Sequence, residues 1–134
     1  MVTGGCRCGA VRYQAEITEP ERHGLCHCED CRRSSGAPAV AWLAVPEETF
    51  RVTRGEAKRW DGGNGAQRYF CGTCGTPLYY LNPEVIPGIA DIQTATLDDP
   101  NAYAPAAQIQ VAERLDWVKD MGALPEFQRF PGGA

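Results

Sequence analysis

Seven cysteines fall into three clusters, Cys6-Arg-Cys8, Cys26-His-Cys28-Glu-Asp-Cys31 and Cys71-Gly-Thr-Cys74, and none lies outside them. A disulfide needs Cα atoms about 4.4 to 6.8 Å apart with converging Cβ vectors. Short-range pairs of thiolates readily share a tetrahedral ion instead, and zinc suits such a ligand set best. Two pairs and a triplet divide into a four-sulfur site, Cys6, Cys8, Cys71 and Cys74, and a three-sulfur site, Cys26, Cys28 and Cys31. Four protein ligands close a zinc shell, whereas three leave the exchangeable position of a catalytic centre. The spacing therefore predicts two zinc ions per chain, one structural and one catalytic.

The charge of the second site narrows its chemistry. Three thiolates around a divalent ion leave a net negative charge, which blunts Lewis acidity and favours activation of a thiol over activation of water. A thiol entering the open position loses its proton and is presented as a nucleophile toward an electrophilic carbon; glutathione is the natural intracellular candidate. Against this stands a purely structural alternative, in which His23, His27, Glu29 or Asp30 completes the shell. Arg32 and Arg33 follow the last cysteine, where they can receive a substrate carboxylate or simply cap a helical turn. Trp42, Trp60 and Trp117 are candidates for a pocket wall or for core packing.

The elements that must hold these clusters are short. Fifteen glycines and ten prolines punctuate the 134 residues and leave no room for long helices. Val11, Tyr13, Ala15 and Ile17 alternate with Arg12, Gln14, Glu16 and Thr18, the period of a half-buried strand. Ala39 to Val45 is an apolar run ended by Pro46 and reads as a strand buried on both faces. Further strands are predicted at Thr49 to Thr53, Lys58 to Trp60, Gln67 to Phe70, Pro77 to Leu81, Ile89 to Thr96 and Gln108 to Val111, mostly antiparallel. Asp61-Gly-Gly-Asn-Gly65 reads as a hairpin turn. Helical pieces are expected only at Glu29 to Arg33 and near Leu115 to Met121. The expectation is a mainly β fold of short antiparallel sheets pinned by cysteine-zinc knuckles, one domain over residues 1–130 with a frayed tail at 131–134.

Composition excludes several partners. The formal charge is −4, and seven thiolates on two divalent ions make the loaded protein three charges more negative still. Nucleic-acid binding draws on neutralising Lys and Arg contacts, and the 13 basic residues here are scattered, so no nucleic-acid partner is expected. No apolar run approaches the roughly 20 residues of a membrane span, and the N-terminus lacks the pattern of a secretory signal. A cytoplasmic location, where thiols stay reduced and free for metal, is the expectation. The oligomeric state is left open.

Three stretches together carry a family resemblance: Gly-Gly-Cys6-Arg-Cys8-Gly-Ala-Val-Arg-Tyr13, Cys26-His-Cys28-Glu-Asp-Cys31-Arg-Arg-Ser-Ser-Gly36 and Phe70-Cys71-Gly-Thr-Cys74-Gly-Thr-Pro-Leu78. With Ala95-Thr-Leu-Asp-Asp99, Trp117-Val118 and Leu124-Pro-Glu-Phe127, the chain resembles the glutathione-dependent formaldehyde-activating enzymes, a family that includes proteins like centromere protein V. The resemblance implies an Mss4-like β fold, a structural zinc on Cys6, Cys8, Cys71 and Cys74, and a catalytic zinc on Cys26, Cys28 and Cys31. It implies a carbon-sulfur lyase that joins formaldehyde to glutathione as S-hydroxymethylglutathione. At Gln108-Ile-Gln-Val111 the sequence departs from relatives, which often carry a histidine before an aromatic residue, and this leaves room for another thiol adduct. The competing readings are a non-catalytic zinc-binding protein-interaction module and a methionine sulfoxide reductase of related fold. The latter is disfavoured because every cysteine belongs to a knuckle and none is spare for redox work.

Overall fold

The computed structural model describes residues 1–17 and 23–132. Among them ten strands form two sheets. β1 (Val2–Gly5), β2 (Arg12–Ala15) and β5 (Arg51–Arg54) make a small antiparallel sheet in the order β1-β2-β5. The larger sheet contains β3 (His23–Cys26), β4 (Val40–Pro46), β6 (Ala57–Gly63), β7 (Ala66–Cys71), β8 (Pro77–Leu81), β9 (Ile89–Gln93) and β10 (Ala107–Ile109), in the order β10-β3-β4-β9-β8-β7-β6. α1 (Glu29–Ser35) is the α-helix between β3 and β4. The chain is mainly β and a single small domain, as its punctuation implied.

Pairing registers separate the two faces of the large sheet, because directly opposed residues share a face. Tyr69, Tyr79, Ile92, Leu43 and His23 form one transverse row. That face meets the small sheet, and Leu43, Ile92 and Tyr79 join Val2, Tyr13 and Ala15 in the main core. Aromatic rings bind the layers together, with Phe50 4.4 Å from Tyr79 and Tyr69 stacked 4.3 Å from Tyr79, centroid to centroid. The opposite row runs Trp60, Arg68, Tyr80, Asp91 and Ala44, with Gln93 opposite Trp42 on the same side. Here a second cluster collects Cys26, Cys31, Val40 and Trp42. β4 therefore supplies core to both faces, Leu43 and Val45 to one and Val40 and Trp42 to the other.

Local chemistry explains where strands stop. The β6–β7 hairpin closes on Asn64 and Gly65, at φ 53° and 79°, between the paired Gly63 and Ala66; left-handed Asn-Gly matches the twist of the flanking strands. The strand expected to run from Ile89 to Thr96 ends at Gln93, since Thr96 turns its hydroxyl back onto the Gln93 carbonyl (2.8 Å) and closes a 3₁₀ turn. The last strand sits at Ala107–Ile109 rather than Gln108 to Val111. It ends where Gln110 adopts φ 57°, and it pairs with β3 in parallel. Thr49 belongs to a 3₁₀ turn (Glu47–Thr49) ahead of β5, and the helical segment expected near Leu115 to Met121 is present as 3₁₀ helix over Asp116–Ala123. Of the expected elements, Thr18 and the tail residues Gly133 and Ala134 lie outside the described residues.

Two strands gave no periodic signal. β1 is Val-Thr-Gly-Gly, and its glycines serve close approach, not turns: a Cβ on Gly4 would collide with the Tyr13 hydroxyl and lie 2.5 Å from the Thr96 carbonyl. β3 is His-Gly-Leu-Cys, where Gly24 makes room for Ile109 of β10. No helix of the described residues is long and apolar enough to cross a membrane.

Candidate metal centres and the adjoining cleft

Cys6 and Cys8 lie just beyond β1, and Cys71 and Cys74 at the turn from β7 to β8. The turns are built alike. Gly9 donates its amide to the Cys6 carbonyl (3.2 Å) and Gly75 to the Cys71 carbonyl (2.8 Å), at φ 81° and 82°, a conformation that favours glycine. The Arg7 amide bonds the Thr76 hydroxyl (3.1 Å) and ties one turn to the other. All four sulfurs lie within 4.8 Å of one another. The Cys6–Cys8 and Cys8–Cys71 sulfurs are 3.6 and 3.8 Å apart, close to the roughly 3.8 Å edge of a tetrahedron with zinc–sulfur bonds of about 2.3 Å.

The donor set fits a cation. Amides of Val11 and Thr73 point at the Cys6 and Cys71 sulfurs (3.2 and 3.4 Å), as they do toward thiolates. The hydroxyl and amide of Thr76 lower the Cys74 thiol to about 5. The Ala10 amide favours the Cys8 thiolate, but burial and the neighbouring sulfurs outweigh it and raise Cys8 to about 11. A divalent ion among the four sulfurs would stabilise them together as thiolates.

Cys26 ends β3, Cys28 caps α1 by accepting the Cys31 amide (3.2 Å), and Cys31 lies in the helix, buried. The β3–α1 corner thus converges the three sulfurs within 4.8 Å, and these three cysteines are the only protein donors in the group among the described residues. His23, His27, Glu29 and Asp30 do not join them. His27 is fully buried, its Nε2 2.9 Å from Gln108 Oε1, while its Nδ1 has no partner among the described residues. His23 sits on the main-core face, edge-on to Tyr103 at 6.4 Å. Glu29 pairs with Arg33 (3.2 Å) and Asp30 with Arg68 (2.6 Å). Burial and neighbouring Cys28 push the Cys31 thiol up to about 12, and burial also raises Cys26. A divalent ion would reverse that penalty, so this three-sulfur donor set also fits zinc.

An open cleft of about 610 Å³ lies on the same sheet face as the three-sulfur cluster, between α1 and strands β6 to β9. Trp42 belongs both to its wall and to the cysteine cluster. Arg68, only 11% exposed, marks the boundary: Nη2 bonds Asp30, lies 3.9 Å from Cys31 Sγ, and its guanidinium carbon sits 4.9 Å from the Tyr80 ring centroid. Trp60 lines the cleft while 55% exposed; Trp117, also exposed, borders a separate recess with Arg32. Sequence reasoning did not single out Arg68 or Gln93, because only the sheet register brings Arg68 beside Cys31 and Gln93 opposite Trp42 at the cleft wall.

Residues 1–113 match the family profile described as glutathione-dependent formaldehyde-activating enzyme. A protein of Schizosaccharomyces pombe named an uncharacterised lyase is 30% identical over 114 residues, covering 75% of this chain and 82% of that one. A Halomonas elongata protein bearing the family's enzyme name is 25% identical over 126 residues, 89% of this chain and 80% of its own. Among solved structures, a crystal structure of a Rhodobacter sphaeroides protein superposes with a TM-score of 0.65 at 26% identity, covering 79% of this chain and 98% of the other. With the profile spanning most of its length and both cysteine clusters assembled, the chain belongs to the glutathione-dependent formaldehyde-activating enzyme family.

Proposed function

We propose that the protein is a zinc-dependent carbon-sulfur lyase acting on adducts of a glutathione-type thiol, with formation of S-hydroxymethylglutathione from glutathione and formaldehyde as the reference reaction. The observation that carries this reading is the three-sulfur cluster with no fourth protein donor, set beside an open cleft on the same sheet face. Cys6, Cys8, Cys71 and Cys74 hold a structural zinc, and Cys26, Cys28 and Cys31 hold the catalytic one. Zinc at the second site supplies a position at which a thiol is stabilised in its ionised form. The chain then contributes orientation: Cys28 and Cys31 fix the site to the start of α1, and Arg68 supplies positive charge at the boundary with the cleft. Residues 1–130 act as one domain with 131–134 as a tail, in the cytoplasm, where glutathione is the available thiol.

The test is exchange of isotopically labelled formaldehyde with glutathione, followed by NMR alongside zinc per chain. Two zinc ions and a rate above the uncatalysed one, lost when the second zinc is removed, is the expected result; one zinc ion, or no acceleration at full loading, rejects it. The alternative, a zinc-binding protein-interaction module, draws on the exposed apolar side chains of the C-terminal segment, Trp117, Met121, Leu124, Phe127 and Phe130. It predicts zinc retention with no response to small thiols.

A further inference from the structure

The cleft is far larger and more apolar than a one-carbon electrophile requires. Formaldehyde occupies the space of one or two water molecules, each about 30 Å³, and the cleft of about 610 Å³ has room for a thiol and a larger electrophile together. Pockets of this size ordinarily enclose whole drug-sized groups. The wall carries the aromatic side chains Trp42, Trp60 and Phe70, with Pro77 beside them. Trp60 is placed deliberately in the local backbone, since its ring lies over Gly62, where a Cβ would meet it at 2.7 Å. Trp60 remains 55% exposed among the described residues and presents apolar surface to the cleft.

The charges at the cleft point the same way. Arg68 is bonded to Asp30 (2.6 Å) and Arg33 to Glu29 (3.2 Å), so both cations of the wall already have carboxylate partners. Across the sheet the cleft grades from Asp30 and Arg68, beside Cys31, to Trp60, the register partner of Arg68 on edge strand β6, while Trp42 lines it next to the cysteines. A substrate that fits this gradient has its reacting carbon and sulfur near Arg68 and a ring-bearing group against Trp60.

We infer that the cleft beside the three-cysteine cluster receives an aryl-bearing group on the electrophilic carbon, so that the preferred substrates are thiol adducts of aromatic aldehydes rather than of formaldehyde. This rests on the lyase reading above and specifies its substrate class. The reaction balances without an oxidant or reductant. The thiol sulfur forms the carbon–sulfur bond as the carbonyl π bond breaks onto oxygen, and that oxygen takes the proton the thiol released. The reverse expels aldehyde and restores the thiol.

Binding of unreactive conjugates to the zinc-loaded full chain, measured by calorimetry, tests this apart from catalysis. Two matched pairs are compared: S-benzylglutathione with S-methylglutathione, and N-acetyl-S-benzylcysteine with N-acetyl-S-methylcysteine. The expected result is at least a tenfold preference for benzyl, falling below threefold in Trp60→Ala and in Ser34→Trp. Both positions are exposed, on edge strand β6 and on helix α1, and circular dichroism checks that each variant folds. Benzyl preference in neither pair, or a preference that both substitutions leave intact, overturns the inference whether or not glutathione conjugates bind. If only the cysteine pair binds, with a Trp60-dependent benzyl preference, the cleft assignment stands and glutathione is rejected as the thiol.

Discussion

The two cysteine clusters use the same side chain for different architectural ends. The four-sulfur cluster joins the N-terminal strand of the small sheet to a turn of the large one, across more than sixty residues of chain, and both of its turns are closed by their own backbone and by the Arg7–Thr76 bond. The three-sulfur cluster is local: six residues at one β–α corner, packed on Val40 and Trp42 and touched by a single guanidinium. A long-range cluster constrains the unfolded chain and adds binding energy to folding; a local one closes little chain and adds little. On the proposed reading the first cluster is a joint and the second a site.

Substitution of one ligand in each breaks or keeps this contrast. On that reading Cys71→Ser removes a ligand whose metal would supply on the order of 10 kcal/mol, comparable with the whole stability of a small domain. We expect no cooperative thermal unfolding by circular dichroism. Cys28→Ser is expected to melt cooperatively within about 5 °C of the parent, a shift of about 1 kcal/mol, while elemental analysis finds one zinc fewer. Loss of cooperative melting in both variants would give the clusters the same role and end the distinction.

A finer probe is Arg68→Gln. Nη2 of the guanidinium lies 3.9 Å from Cys31 Sγ, and among the described residues it bonds no sulfur of the four-cysteine cluster, so its removal is expected to act on one cluster. Groups that touch metal ligands without binding the ion are worth about tenfold or more in affinity. Competition with a chromophoric chelator should show zinc bound about tenfold more weakly at the three-sulfur site and unchanged at the other. Equal weakening at both sites would mean that Arg68 acts through global stability.

This contrast explains what was legible from sequence. Cysteine spacing is local information, so the ligand sets could be read before any fold was known, and the alternation in β2 and the Asn64-Gly65 turn were equally local. His27 was ambiguous in sequence because it lies between two cysteines; its burial and bond to Gln108 arise from the parallel pairing of β10 with β3, which no local pattern announces. Arg68 and Trp60 acquire meaning only as register partners across β6, β7 and β8. The Ala95-Thr-Leu-Asp-Asp99 motif is likewise explained by distant contacts: Thr96 bonds the Tyr13 hydroxyl (2.6 Å), and Asp98 accepts from Arg12 (2.9 Å) and Thr3 (2.6 Å).

Asp98 supplies the smallest and most selective test, because its bonds secure β1 and β2 next to the four-sulfur joint and touch nothing at the site. The Arg12 guanidinium and the Thr3 hydroxyl hold the Asp98 carboxyl down to about 2, against an ordinary 3.8. A carboxyl depressed in the folded state stabilises fully above its unfolded value and loses that contribution as pH falls from about 4 toward 2. Both side chains are more than a third exposed, at 36% and 48%, so water screens the pair and its contribution is about 0.5 to 1 kcal/mol. Asp98→Asn should therefore lower the urea midpoint by a constant amount between about pH 7 and pH 5, with the gap from the parent starting to narrow near pH 4, and zinc per chain should stay the same. Both proteins release zinc in acid through the same thiols, so the difference between them isolates the carboxylate. A gap that widens toward low pH contradicts the sign, and a gap accompanied by zinc loss from the three-sulfur site contradicts the separation of joint from site.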